Sequence, residues 1–153
     1  MMSELPHFEL FTDGACLGNP GPGGWAYILR DASGAEIEHS GGESASTNQR
    51  MEVAAVLAAL QSLEQPSRIH LFSDSKYVTD GLTVWLENWI AKGWRTAGRK
   101  PVKNQDLWKP LAEQRERHEI ATTWVEGHTG HPENERCDQL AFAAAEAVKE
   151  SGP

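Results

Sequence analysis

The chain has 153 residues, 39% hydrophobic and 24% charged, with a formal net charge of −8, a composition ordinary for a soluble globular domain. It shows no signal-peptide pattern and no apolar run near the roughly 18 residues of a membrane span, and two cysteines make no disulfide framework. We therefore expect one domain over residues 1–153, with an ordered core of about residues 7–149, in the reducing cytoplasm.

The first half of the chain predicts three strands and one helix. Short apolar segments bounded by turn residues predict strands at residues 8–12, 25–29 and, more weakly, 36–42. A glycine–proline turn is expected over residues 18–24. Apolar residues at helical spacing predict a helix over residues 47–63, with Thr47 as its N-cap.

The second half predicts two strands and three helices. The strands lie at residues 69–73 and 120–125, and the helices at residues 85–92, within 104–118 and at 132–149. Pro110 lies inside the middle helix, so we expect that helix to start late or to kink. Residues 150–153 are expected to form a loose tail.

The order of these elements predicts an α/β fold. Three strands joined by short turns indicate an antiparallel meander, and the later strand–helix–strand steps indicate parallel additions. The expected architecture is one five-stranded mixed sheet with helices on both faces.

A repeated phrase gives the first indication of chemistry. Leu10-Phe11-Thr12-Asp13 and Leu71-Phe72-Ser73-Asp74 share an aromatic, a small hydroxyl residue and an aspartate. If the two strands are parallel neighbours that end at these aspartates, the carboxylates lie about 5 Å apart at the sheet edge where ligands gather. Each aspartate alone would be read as a turn former, but the matched pair favours a site.

Two further acids join this hypothesis. Glu52 lies on the helix face that should pack on the sheet, where a carboxylate needs a cation or a partner such as Arg50. Asp138 lies in the first turns of the last helix, where an acid is favourable on its own account. Converging carboxylates suit Mg²⁺ or Mn²⁺. A zinc site is the weaker alternative, built from His128, His131, Cys16 and Cys137.

A basic window contrasts with the acidic remainder of the chain. Residues 92–103 contain five basic residues, Trp94 and no acid, and the basic residues are Lys92, Arg95, Arg99, Lys100 and Lys103. A local patch of this kind on an acidic body favours contact with phosphate, although many charge runs are solvated loops.

These motifs together resemble bacterial ribonuclease H type 1, across about residues 8–148. The resemblance rests on Phe11-Thr12-Asp13-Gly14, the glycine–proline segment 16–24, Thr47-Asn48, Arg50-Met51-Glu52, Asp74-Ser75, Tyr77-Val78, Trp124-Val125, Gly127-His128 and residues 130–138. It implies a ribonuclease H-like fold and endonucleolytic hydrolysis of the RNA strand of RNA–DNA hybrids, leaving 3′-hydroxyl and 5′-phosphate ends.

The resemblance also implies roles for particular residues. Asp13, Glu52, Asp74 and Asp138 would hold two Mg²⁺ ions, with Mn²⁺ as a possible substitute. Asp13 would bridge both ions, Asp138 would hold the ion that activates water, and Glu52 with Asp74 would hold the other. His128 resembles the family histidine of proton transfer and product release.

The family implies a hybrid-binding surface as well. Asn19 and Asn48 would contact the minor groove, where the 2′-OH distinguishes RNA from DNA, and Thr47 would help to hold a phosphate. The basic window with Trp94 resembles the protrusion that grips the DNA strand. Trp85 and Trp89, four residues apart, are expected mainly to pack.

Two departures and two rival functions remain. Gln49 stands where a second asparagine is usual and Lys76 where a glutamine is frequent, which bears on substrate contacts rather than on the carboxylates. A hybrid-binding module without catalysis would need only the groove and the basic window, and a nuclease of the same fold could act on DNA. We expect a monomer without membrane attachment, and a replication-associated partner is left open.

Overall fold

Five strands form one mixed sheet in a computed structural model that describes residues 5–126 and 131–151. The strands are β1 (His7–Cys16), β2 (Gly21–Asp31), β3 (Glu36–Ser46), β4 (Arg68–Ser73) and β5 (Glu119–Trp124). Their order across the sheet is β3-β2-β1-β4-β5. The first three pair antiparallel, whereas β4 pairs parallel with both β1 and β5. The predicted α/β fold with a mixed five-stranded sheet is confirmed.

Helices cover both faces of this sheet. They are α1 (Asn48–Ser62), α2 (Lys76–Asp80), α3 (Leu86–Ala91), α4 (Gln105–Arg117) and α5 (Pro132–Ser151). One face carries a core with Leu10, Leu71, Leu60 and Trp108, all fully buried. On the other face α5 packs Cys137 and other small residues against β1 and β2. Among the described residues, none of these helices has the length and apolarity to cross a membrane.

Pairing with β1 and β3 makes the segment predicted as a turn over residues 18–24 partly a strand. β2 begins at Gly21, and Gly24 lies inside it. A Cβ atom on Gly24 would come within 2.1 Å of the Ala141 carbonyl oxygen, so the absence of a side chain lets α5 approach the sheet. The prediction of a turn was therefore wrong for residues 21–24.

The helix predicted at residues 85–92 begins much earlier than expected. The chain is already helical from Lys76, and Gly81–Trp85 form a π-helical turn between α2 and α3. Such a turn adds a residue to the helical repeat, so the apolar residues on its two sides do not share one period. Gly81 is required here because a Cβ would lie 2.1 Å from the Trp108 ring.

Two other helix ends were expected to differ from what the structure shows. Of the late start or kink expected from Pro110, the late start does not occur, since α4 begins at Gln105. The carbonyl left without a partner by the proline belongs to Asp106, which is exposed in the first turn. The loose tail expected at residues 150–153 is helical as far as Ser151.

His118 makes the stability of the fold depend on pH. Its buried Nδ1 atom accepts a hydrogen bond from the Ser67 backbone N–H at 3.0 Å, and burial together with Arg117 lowers the pKa of His118. The folded protein therefore binds this proton less readily than the unfolded chain, whose histidine titrates near 6.5.

We expect the contribution of His118 to stability to be complete above about pH 6.5 and to fall at lower pH, through the lowered pKa. Urea unfolding of the native chain and of His118→Gln at pH 7.5 and pH 5 measures this contribution. The stability difference between the two proteins should shrink at pH 5. A difference that does not change with pH would show that His118 is not a neutral acceptor.

Candidate active site

Three acidic side chains from separate elements converge at one end of the sheet. Asp13 of β1, Glu52 of α1 and Asp74, directly after β4, each contribute a carboxylate oxygen, and these oxygens lie within 4.8 Å of one another. The parallel register that pairs Phe11 with Phe72 brings the two aspartates abreast. The two phenylalanine rings stack with centroids 5.2 Å apart, so the repeated phrase does place equivalent side chains on one face.

The two aspartates differ in their position on the strand. Asp74 follows the last residue of β4, as expected, but Asp13 does not close its strand, because β1 continues to Cys16. The continuation is held by antiparallel pairing with β2, where Asp13 lies opposite Ala26. Pairing between β1 and β4 ends at Phe11 and Phe72, and the chain after β4 turns into α2. The β4 side of β1 therefore has no neighbouring strand at Asp13 among the described residues, and this side faces the other acids.

Glu52 reaches the site because α1 lies almost against the backbone of β1. A Cβ atom on Gly14 would come within 2.5 Å of the Glu52 backbone nitrogen, so a glycine is needed beside Asp13. The Glu52 carboxylate accepts a 2.5 Å hydrogen bond from the Ser75 hydroxyl. Arg50, the alternative partner expected from the sequence, instead binds Glu43 and Asp106.

Burial, together with neighbouring negative charge, raises the pKa of two of these acids. Burial, followed by the charge of Asp74, raises the pKa of Asp13 to about 8. Burial also raises the pKa of Glu52 to about 7, with a further contribution from Asp74 and an opposing one from the Ser75 hydrogen bond. A divalent cation would favour the charged forms of all three acids.

Asp138 joins the group through Asp13. Its side chain lies beside that of Asp13 and adds to the raised pKa of Asp13. Helix α5 is held in place by Asn134, whose amide donates to the Phe72 carbonyl at 3.1 Å, and by Cys137, whose thiol donates to the Phe11 carbonyl. Asp138 therefore lies next to the group formed by Asp13, Glu52 and Asp74, on the side of Asp13.

The remaining predictions about catalytic groups have different outcomes. His128 lies outside the described residues. Cys16 and Cys137 donate their thiol hydrogens to backbone carbonyls, so the alternative zinc site gains no support from them. Sequence reasoning gave no role to the Ser75 hydroxyl or to the Trp124 indole, which donates to the Asp74 carbonyl at 3.0 Å.

Residues predicted to contact the minor groove come together at the start of α1, about one helical turn before Glu52. The Asn19 side chain accepts from the Asn48 backbone N–H at 3.1 Å, which joins two predicted contacts that are far apart in sequence. Thr47 caps α1 by accepting from the Arg50 N–H at 3.1 Å, and Asn48 and Gln49 are exposed. These four residues form a polar surface at the start of α1.

The basic window forms an ordered loop on which every basic side chain is exposed. The loop is closed by the Thr96 N–H donating to the Lys100 carbonyl and by a β-bridge between Arg95 and Pro101. Trp94 is half-buried near Trp89, with ring centroids 6.3 Å apart, so its ring anchors the loop.

A groove of about 280 Å³ connects this loop with the start of α1. Its lining includes Gln49, Trp89, Thr96, Lys100 and Lys103. Trp89 also packs edge-on against Trp108 at 5.3 Å, which agrees with the packing role expected for it. A larger cavity of about 420 Å³ lies at the start of β1 and β4, away from the carboxylates.

Comparison with known proteins agrees with this geometry. The model of the ribonuclease H family matches residues 6–146. The chain belongs to the ribonuclease H family. It is 52% identical over 147 residues to the ribonuclease H of Rhizobium meliloti (strain 1021), covering 96% of this chain and 95% of that one. It is 50% identical over 148 residues to the ribonuclease HI of Brucella melitensis biotype 1, covering 97% and 96%.

A solved structure of a ribonuclease H shows the same fold. The crystal structure of LC9-RNase H1, a type 1 RNase H with the type 2 active-site motif, superposes with a TM-score of 0.84 at 30% identity, covering 97% of this chain and 76% of that one. The family resemblance and the endonuclease class predicted from the sequence are confirmed. The family is metal-dependent, and the acidic group can bind a metal.

Proposed function

We propose that the chain hydrolyses the RNA strand of RNA–DNA hybrids at the carboxylate group, leaving 3′-hydroxyl and 5′-phosphate ends. The observation that carries the proposal is the convergence of carboxylate oxygens of Asp13, Glu52 and Asp74 within 4.8 Å, with Asp138 beside Asp13. Relatives that are about half identical over nearly the whole chain are named ribonuclease H. We further propose that it acts as a cytoplasmic monomer.

The donor set fits Mg²⁺, with Mn²⁺ as a substitute. All four side chains offer hard carboxylate oxygens, and the raised pKa values of Asp13 and Glu52 reflect burial and the nearby charge of Asp74, both of which a bound cation would offset. Two bound Mg²⁺ ions would supply Lewis-acid stabilisation of the scissile phosphate, the attacking water and the leaving oxygen. We assign Asp13, Glu52, Asp74 and Asp138 to holding them and leave His128 as a predicted proton-transfer group.

The surface beside the acids suits a hybrid duplex. We propose that Asn19, Thr47, Asn48 and Gln49 contact the minor groove and the RNA strand, where a 2′-OH can be recognised. The five basic side chains of the loop, together with the groove of about 280 Å³, would hold the DNA strand. Trp94 contributes by anchoring the loop.

A binding module without catalysis is the second candidate, because the groove and the loop would suffice for binding. The carboxylates argue against it, since crowded negative charge repels the phosphate that a pure binder must attract. A nuclease for duplex DNA is the third candidate. The polar surface at the start of α1, to which we assign the contacts with 2′-hydroxyls, argues against that one.

Cleavage of an end-labelled RNA strand paired with DNA tests the proposal. We expect cutting with Mg²⁺ and none in chelator, no cutting of single-stranded RNA or duplex RNA, and loss of cutting in Asp74→Asn, which removes a metal ligand. Glu113→Gln, an equal charge change on the exposed side of α4, is the matched control and should cut normally. Tight hybrid binding without cutting would favour the binding module, and cutting of duplex DNA would favour the DNA nuclease.

A further inference from the structure

The Ser75 hydroxyl links two of the acidic side chains to the start of a helix. Ser75 directly follows Asp74 and is the N-cap of α2, where its Oγ atom accepts the Val78 backbone N–H at 3.2 Å. The same Oγ donates to the Glu52 carboxylate at 2.5 Å. We propose that Ser75 is a positioning residue that fixes the Glu52 carboxylate for metal binding, an inference that rests on the proposed metal-dependent function.

The Ser75 hydroxyl bonds to α1 and to α2 at the same time. The Oγ atom accepts the Val78 N–H with a lone pair and donates its single hydrogen to the Glu52 carboxylate, so one hydroxyl serves both groups at once. The distance of 2.5 Å is typical of a charge-assisted bond from a hydroxyl to a carboxylate. The start of α2 therefore selects the orientation of a side chain that belongs to α1.

The surroundings make this contact hard to replace with water. Ser75 is only 6% exposed, and its backbone N–H donates to the Ser73 hydroxyl at 3.1 Å. The neighbouring Asp74 carbonyl is held by the Trp124 indole at 3.0 Å. Hydrogen bonds thus fix the backbone at Asp74 and at Ser75. Because Ser75 is fixed, its hydrogen bond also restricts the position of the Glu52 carboxylate.

A long glutamate that is held in one rotamer before metal arrives does not have to be ordered when metal binds. Removing the hydroxyl should therefore weaken metal binding without removing any ligand. Partners that orient metal ligands in this way typically contribute about 10- to 100-fold in metal affinity. We expect a loss of about tenfold, because one of several carboxylates is affected.

Calorimetric titration of the metal-free protein with Mn²⁺, without nucleic acid, tests the inference. Ser75→Ala removes both the cap and the contact with Glu52, whereas Ser75→Gly removes the contact and keeps most of the capping preference. Thr79→Val removes another buried hydroxyl from the same helix without touching Glu52, and serves as the matched control.

Both Ser75 variants should bind Mn²⁺ about tenfold more weakly than the native chain, and Thr79→Val should bind it normally. In cleavage assays, the Mg²⁺ concentration for half-maximal rate should rise in the same proportion, with kcat largely recovered at saturating Mg²⁺. Native Mn²⁺ affinity in Ser75→Gly would overturn the inference even if the native chain cuts hybrids. Weakened Mn²⁺ binding in a chain that cuts no hybrid would support Ser75 and overturn the proposed function.

Discussion

Replacing Asp13 with asparagine is expected to abolish cleavage and to raise the melting temperature of the metal-free protein. Asp13 is 8% exposed and lies beside Asp74 and Asp138, and this environment raises its pKa to about 8. Asparagine keeps the shape and the oxygen that accepts the Gly14 N–H at 2.9 Å, but it carries no charge. Activity should be lost because one of the four carboxylates that would hold the metal no longer carries a charge.

The sign of the stability effect follows from the direction of the pKa shift. A carboxyl whose pKa is raised on folding contributes its full stability below its unfolded value of 3.8 and loses it as pH rises toward about 8. The free energy of unfolding of the metal-free native protein should therefore fall as pH rises across this range. Asp13→Asn has no carboxyl at this position, so its stability should not fall for this reason. We expect the variant to melt about 5 °C higher at pH 8, with a smaller gain at pH 5.

Thermal unfolding in chelator at both pH values measures this difference. Asp31→Asn provides a control of opposite sign, because hydrogen bonds from Ser33 and neighbouring backbone groups lower the pKa of Asp31. That variant should melt at a lower temperature than the native chain. A lower melting temperature for Asp13→Asn at pH 8 would contradict the electrostatic crowding described for the site.

The acidic group was largely predictable because its residues lie in local patterns. The repeated phrase placed Asp13 and Asp74 on equivalent strand positions, and the helical stripe placed Glu52 toward the sheet. The error at Asp13 arose because strand length depends on the partner strand, and β2 pairs with β1 well beyond this residue. Nothing local to residues 13–16 indicates that pairing.

Contacts between distant residues were not predictable in the same way. Arg50 was considered as a partner for Glu52, but its guanidinium binds Asp106, which lies 56 positions further along the chain. Ser75 is recognisable as a helix cap, yet its contact with Glu52 depends on how α1 and α2 pack. The early start of the helix at Lys76 was hidden by the π-helical turn at Gly81–Trp85.

Removing three charges from the basic loop should weaken hybrid binding and flatten its salt dependence. Arg99, Lys100 and Lys103 are exposed and project from a loop whose shape depends on backbone contacts, so alanine replacements should leave the fold intact. The slope of log K against log salt is negative, and each lost phosphate contact makes it shallower by up to about 0.9. For three contacts we expect the magnitude of this slope to fall by about 2, and the affinity to fall by about tenfold or more near 0.1 M salt.

Fluorescence anisotropy of a labelled hybrid in chelator measures binding without cleavage. The control is the double variant Arg68→Ala with Lys149→Ala, which removes two exposed positive charges from β4 and α5. It shows how much affinity is lost simply because the protein, whose net charge is already −8, becomes more negative. The loop variant should lose more affinity per charge than this control, because its charges would lie against phosphate while the others act only at a distance. In cleavage assays the loss should appear in KM rather than in kcat, since the loop holds the DNA strand and the carboxylates act on the RNA strand. An unchanged salt slope would show that another surface binds the duplex.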